Sequence, residues 1–416
     1  MKKGIVMARG KRGGTELNVA MIGSKFMGRA HSNAWSQAGK FFDLPMRIRM
    51  HTVCAREANA TEAFAARWGW ANWSSNWESV VKNDDVDLVD VATPNSVHAE
   101  QAIGSLEAGK HVACEKPLAG TLHDARAMVA AAKKVKRKGV RTFVWYNYRR
   151  CPAVALAHRL VQEGRLGRIY HVRAAYLQDW GGPDTPLLWR FRKDEAGSGA
   201  HGDLNAHLID MARFITGNEI TEVVGSIAET FIKKREIIEE ARGTLRQSAR
   251  SGKKKRGKRY GRSTVDDCVL FLARFKGGAV GSFEATRLAA GNKNRNMIEI
   301  NGEFGSIKFD FERMNELKYY DASSGSDAAT QGWTTIMCTS AAGNHPYSHA
   351  WWPDAHVLGY EHGFVNEAAD IVRMLGGGEA EVPLPDFEDA FETQLVLEAA
   401  MVSAREKRSV FIRELR

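Results

Sequence analysis

Cysteine is scarce and unpaired in pattern: Cys54, Cys114, Cys151, Cys268 and Cys338 are five in number, scattered, and include no C-x-x-C. This excludes a disulfide framework and a zinc knuckle and leaves them as small buried apolar side chains. Long apolar runs are absent as well. No stretch approaches the ~20 residues of a membrane span, and the opening MKKGIVMARGKRGG lacks the apolar core of a secretory signal. The expectation is a soluble, cytoplasmic protein with no membrane partner.

Charge of one sign is in surplus, but only locally. Residues 233–262 hold thirteen Lys or Arg against three Glu, and the rest of the chain carries 46 of each sign. No aromatic residues alternate with these charges to stack bases, so nucleic acid is not an expected partner. The segment reads as a solvated surface insertion, with an anion-facing patch as the alternative.

The remaining chain is long enough for more than one core, its apolar content being 44%. Val19 to Ile22, Met50 to Ala55, Val86 to Thr93 and His111 to Glu115 read as buried strands. Gly28 to Ala38, Ala60 to Trp68 and His98 to Ala108 between them read as helices. That alternation predicts a parallel sheet covered on both faces, a dinucleotide-binding α/β domain over 17–145. After Phe143 longer alternating runs appear, such as Ile169 to Gln178, Cys268 to Phe275, Ala279 to Arg287 and Met297 to Phe311. They predict an α+β domain over 146–416 with a large, mostly antiparallel sheet.

Three stretches carry candidate chemistry. In NVAMIGSKFMGRAH, Gly23 permits a sharp turn after the first strand and Gly28 a helix start close to the sheet, while Lys25 stands where a second glycine would. The turn is either structural or a pyrophosphate site at a helix N-terminus. In ATPNSVHAEQAIGSLEAGKHVACEKPLA, TPN and EKP end two strands and should border one crevice, where Lys116 could meet a substrate hydroxyl or simply be a surface lysine. In GSGAHGDLNAHLID, Asp203 and His207 lie four apart on one helix face, with Asp210 a turn further on. A carboxylate so placed could orient an imidazole that acts as a general base.

These stretches, in this order and spacing, resemble the Gfo/Idh/MocA family of nicotinamide-dependent oxidoreductases. WYNYRRCPAVALAHRLVQEGRLGRIYHVRAAYLQD and VDDCVLFLARFKGGAVGSFEATR resemble its sugar 3-dehydrogenase branch. The resemblance implies a Rossmann domain, an open sheet that often joins subunits into a dimer or tetramer, and hydride transfer between a sugar, anhydrosugar or cyclitol carbon and nicotinamide. It implies a catalytic trio of Lys116, Asp203 and His207, with the base left open between His207 and Lys116. It implies cofactor contacts at Gly23, Lys25, Phe26, Met27, Gly28, Thr93, Asn95, His98, Glu115, Lys116, Trp189 and Arg190. Asn147 and Arg149 would lie near substrate or nicotinamide. The second strand ends in VCARE with no acid for a ribose hydroxyl, and Arg56 could face a 2'-phosphate. NAD is the expected cofactor and NADP the possible one.

NHPYSHAWWPDAHVLGYEH holds four histidines without metal-binding spacing, so no metal is expected. Tyr347, Trp351 and Trp352 beside His345 read as aromatic walls and a polar partner for a sugar. Two alternatives to a dehydrogenase remain: a glycosidase that cleaves by transient sugar oxidation, and a non-catalytic dinucleotide-binding protein.

Overall fold

A computed structural model describes residues 16–238, 258–323 and 327–416. The first unit comprises β1 (Glu16–Ile22), α1 (Phe26–Phe41), β2 (Arg47–Cys54), α2 (Ala58–Trp68), β3 (Asn72–Ser74), α3 (Trp77–Val81), β4 (Leu88–Val91), α4 (His98–Glu107), β5 (His111–Glu115), α5 (Leu122–Lys136) and β6 (Thr142–Trp145). Its strands pair in parallel in the order β3-β2-β1-β4-β5-β6. Val19, Ala20, Met21, Leu88, Val89 and Val91 have no exposed surface, as expected of central strands covered on both faces. The strand order reverses between β1 and β4, which opens a crevice at their carboxyl ends. α5 shows the local logic of these helices: the Thr121 side chain accepts the Asp124 N–H, and lysines fill the last turn.

The second unit adds α6 (Pro152–Gln162), β7 (Ile169–Leu177), α7 (Lys193–Ala196), α8 (Ala206–Thr216), β8 (Ile220–Glu229), β9 (Lys234–Glu236), β10 (Tyr260–Arg262), β11 (Cys268–Phe275), β12 (Val280–Thr286), β13 (Arg295–Gly302), β14 (Gly305–Asp310), β15 (Glu316–Asp321), β16 (Thr334–Met337), α9 (Tyr360–Leu375), α10 (Phe387–Glu406) and β17 (Val410–Phe411). A nine-stranded sheet runs β16-β15-β14-β13-β7-β12-β11-β8-β17, and only the β7–β12 pair in it is parallel. Along β11, Val269, Phe271, Ala273 and Phe275 turn into the core while Leu270 and Leu272 are exposed.

The two units are not laid out as a simple succession. α9 packs on α1 and α10 on α5 as well as on β8, and Val144 donates its N–H to Pro385 O at 2.9 Å. The last part of the chain thus returns to cover the first domain.

The basic insertion is only partly what its composition predicts. Residues 239–257 lie outside the described residues, and the described ends pair as the antiparallel ribbon β9–β10. Arg235 there is fully buried, donates to Gly181 O and Gly182 O, pairs with Asp267 and stacks 3.6 Å over the Phe191 ring. Through Arg235 the base of the insertion therefore braces the loop that carries Trp189 and Arg190, while Lys233, Lys234, Lys258, Arg259 and Arg262 are exposed to solvent as the composition predicts.

Candidate active site

The crevice begins at the glycine turn. Gly23 has φ +123° and donates its N–H to Cys54 O at 2.8 Å; a Cβ there would stand 2.3 Å from Ala92 O, and one on Gly28 2.4 Å from Gly23 O. Only glycine fits either position. Lys25 is exposed at the N-cap of α1 with no side-chain cap bond, and the first turn has no acid. The open N–H groups of a helix start are a fitting cradle for a pyrophosphate. Phe26 lies almost parallel to Tyr360, at 6.2 Å and 12°. Cys54 is buried at the end of β2 and Arg56 is exposed just beyond it.

Two turns form the next part of the wall. Thr93 donates its hydroxyl to Gln101, Asn95 donates to Ala196 O across to the second domain, and His98 bridges Thr93 O and Pro117 O at 3.0 and 3.1 Å. His98 has no exposed surface, and burial pushes its pKa down. It cannot touch a cofactor as the resemblance implied; it joins the TPN and EKP turns instead.

Below EKP lies a charge cluster that sequence reasoning passed over. His31, on the inward face of α1 one turn after Gly28, sits 3.0 Å from both Asp90 oxygens and 3.0 Å from Glu115 Oε1. Trp35 and Trp145 donate to the same Asp90. Burial opposes a charge on His31, but the two carboxylates outweigh it and raise its pKa to about 10. The imidazolium so formed fixes Glu115, whose other oxygen accepts the Lys116 N–H at 3.1 Å.

Lys116 follows β5 and precedes a cis bond to Pro117. Its Nζ donates to Asp203 Oδ1 and to Asp203 O, both at 2.9 Å. Asp203 stands on a π-helical turn, His201–Asn205, that leads into α8. Asp266 holds the start of that turn by accepting the Gly199 and His201 N–H groups, and a Cβ on Gly199 would lie 1.8 Å from Asp266 O. Arg287 donates to Asp203 Oδ2 at 2.8 Å. Burial works against a charged Asp203, yet Lys116, Arg287 and Arg190 hold its carboxyl well below the usual range.

His207 follows at the start of α8. Its Nδ1 is buried without a partner, its ring meets Tyr148 edge-on at 4.5 Å, and no hydrogen bond joins it to Asp203. The expected carboxylate-to-imidazole contact is absent because the wide turn separates the two and both Asp203 oxygens bond to cations. Burial, then the Lys116 charge, drives the His207 pKa well below 6.5 despite Asp203. The imidazole is neutral.

Residues 17–144 match a family described as an oxidoreductase family with NAD-binding Rossmann fold, and residues 154–308 match the GFO/IDH/MocA C-terminal domain. Levoglucosan dehydrogenase of Pseudarthrobacter phenanthrenivorans is 42% identical over 396 residues, 93% of this chain and 96% of that protein. The chain belongs to the GFO/IDH/MocA family. Among solved structures, an oxidoreductase domain protein from Kribbella flavida superposes with TM-score 0.87 at 47% identity, over 95% of this chain and 99% of that one. A levoglucosan dehydrogenase in complex with NADH and levoglucosan gives 0.85 at 40% identity, with the same coverage.

Within this GFO/IDH/MocA fold, the other expected residues divide. Arg190 lies in the crevice, stacked 4.4 Å over Trp189, and burial lowers its pKa against the pull of Asp203. Tyr360, not foreseen, faces the same groups, its hydroxyl pushed up by burial and by the charges of Glu115 and Asp203. Met27 packs on the core. Asn147 is buried, with its main-chain oxygen against Gly363. Arg149 is buried too, bonded to both oxygens of Asp210 and to Asp389 at 2.6 Å. It holds α8 and α10 together and does not line the crevice.

The histidine-rich stretch also departs from its reading as a sugar wall. Tyr347 is fully buried and donates to Asp370 at 2.6 Å; Trp351 donates to Asn366 and packs on Phe41 and Phe42. His345 accepts the Ser340 N–H at 3.3 Å. The stretch straps α1 to α9, because large rings gain most by filling the seam between two helices. Among the described residues no His, Cys, Asp or Glu group could hold a metal, and no helix is long and apolar enough to cross a membrane.

Proposed function

We propose that the chain oxidises a secondary hydroxyl of a sugar, anhydrosugar or cyclitol, with NAD as the hydride acceptor. The observation that carries this is the pairing of Lys116, bound to Asp203, with a neutral His207 at the mouth of a glycine-turn crevice. The names of the levoglucosan dehydrogenase relatives support the substrate class, and the NADH of their complexes supports the cofactor.

The residues divide the work by their charges. An ammonium has three N–H groups; Lys116 gives two to Asp203, and the third is available to the substrate oxygen. Negative charge grows on that oxygen as the C–H bond breaks, and Lys116 stabilises it. Nδ1 of His207 is enclosed, so Nε2 takes the hydroxyl proton. Bound NAD supplies the acceptor for the two electrons and the hydrogen leaving carbon. The wall from Gly23 to Asn95 and the Trp189–Arg190 loop hold the reactants in register.

The test is a panel of pyranosides and cyclitols with NAD+ and NADP+, following the absorbance of reduced nicotinamide. At least one sugar reduces NAD+, with a kcat/KM for NAD+ at or above that for NADP+ despite Arg56. Cofactor binding without turnover would favour a dinucleotide-binding protein. Released sugar without net NADH would favour the glycosidase.

The pH dependence separates His207 from Lys116 as base. A pKa well below 6.5 keeps His207 neutral through pH 7 and above, so kcat/KM stays level from about pH 7 to 9 and falls only well below pH 6.5. An acid limb centred above pH 7 would transfer the role to Lys116.

We also propose a homo-oligomer joined through the outer face of the nine-stranded sheet. Ile227 and Leu270, paired across β8 and β11, are exposed there with Leu272 and Val280. Light scattering gives the mass of a dimer or tetramer, and the double substitution Leu270→Glu, Leu272→Lys reduces it. A monomeric wild type would end this reading. NAD turnover also needs a recycled nucleotide pool, which supports a cytoplasmic enzyme; cell fractionation checks it.

A further inference from the structure

We infer that Arg287 is a positioning residue: by holding Asp203 Oδ2 it fixes the Lys116–Asp203 pair and locks that pair to the cofactor-side loop. The inference rests on the oxidation reading above and deepens it.

Arg287 directly follows β12 and is 2% exposed. One guanidinium nitrogen donates both to Asp203 Oδ2 at 2.8 Å and to Gly199 O at 3.0 Å, and the other donates to Arg190 O at 3.3 Å. One side chain thus ties together the Trp189–Arg190 loop, the glycine turn before Asp203, and Asp203 itself. Its Nε is buried without an acceptor. The Trp180 ring 4.9 Å away and Phe191 at 5.8 Å confine the guanidinium, and Arg235 stacks on Phe191 from the base of the insertion.

The consequence for Asp203 is geometric and electrostatic. Each of its oxygens has its own cation, Lys116 at Oδ1 and Arg287 at Oδ2. Without Arg287 the carboxylate is free to turn about its last torsion and offer both oxygens to Lys116, drawing the ammonium from the substrate oxygen. The site also becomes more negative. The charged and titratable groups facing Asp203 are Lys116, Arg190, Arg287, Tyr176, Tyr360 and His207, with Glu115 beside Arg190 and Tyr360, and loss of one cation favours a proton on His207.

The experiment compares Arg287→Met, Arg287→Lys and Arg287→Gln with wild type, using the best sugar of the panel. Wild-type turnover comes first, so failure of the oxidation reading is seen separately. Arg287→Met lowers kcat about 10- to 100-fold, leaves NAD affinity by fluorescence titration within about three-fold, and moves the acid limb of kcat/KM upward by about one pH unit. Arg287→Lys keeps the charge and returns the limb toward its wild-type position. In an Asp203→Asn background, Arg287→Met adds less than about three-fold, since the two act through one contact. Should Arg287→Met not fold, Arg287→Gln replaces it in the comparison with Arg287→Lys. Equal losses at every pH with an unmoved limb, or full multiplicativity with Asp203→Asn, would overturn the assignment.

Discussion

His207→Ala lowers kcat by roughly 10²- to 10⁴-fold while NAD binding stays within a few-fold. The imidazole opens the second domain's α8, whereas the glycine turn, the TPN turn and EKP lie in the first, so its removal takes the proposed proton acceptor and leaves the crevice intact. Lys116→Ala does comparable damage by a different route: the charge that meets the substrate oxygen is gone, and Asp203 keeps only Arg287. Because both residues act on one O–H bond, the double variant is far less impaired than the product of the single losses. Turnover is read from reduced nicotinamide and cofactor affinity from fluorescence titration. Two single variants with near wild-type rates would sink the mechanism.

Arg149→Met gives the opposite pattern, a large loss of stability with little change in the chemistry. The guanidinium is buried against Asp210, and Asp389 bridges it to Arg213. Burial opposes the charge on Asp389, but the two arginines hold its pKa down at about 2. Removing one partner of a buried pair strands the other charge, at a cost of about 3–5 kcal/mol. Urea unfolding should report a loss of that size. Below the lowered melting temperature, KM for sugar and Kd for NAD remain within about two-fold. A raised sugar KM with unchanged stability would instead mean that Arg149 faces substrate.

What could be read in the sequence follows from how local its cause is. β5 runs over His111–Glu115 as its apolar run predicts, and β11 over Cys268–Phe275, because burial on two faces or on alternate residues writes a pattern into adjacent letters. β3 spans three half-exposed or exposed residues, too few to write one. The parallel β7–β12 pair alternates as an antiparallel pair would, so direction was hidden. At the site, EKP and D-x-x-x-H carry their own signal. Arg287 does not, since its meaning lies in Asp203, 84 residues away. Tyr347 and Arg149 have the chemistry of ligand-binding side chains, and only their burial among distant partners shows that they serve packing.

The return of the last part of the chain onto the first domain has a consequence for engineering. A linear map suggests a dinucleotide-binding module ending near residue 145 that could be exchanged between relatives at one junction. In space that module includes the strap around Tyr347 and Trp351, helix α9 against α1, and the Pro385 carbonyl that caps the edge strand β6. A graft cut only at residue 145 would join a foreign α1 to this chain's α9 and leave Tyr347 and Trp351, which here pack on Phe41 and Phe42, against residues that never packed with them. Cofactor preference is better transplanted as two separate pieces of chain moved together, 16–145 and the strap with α9, so that the seam between them travels intact.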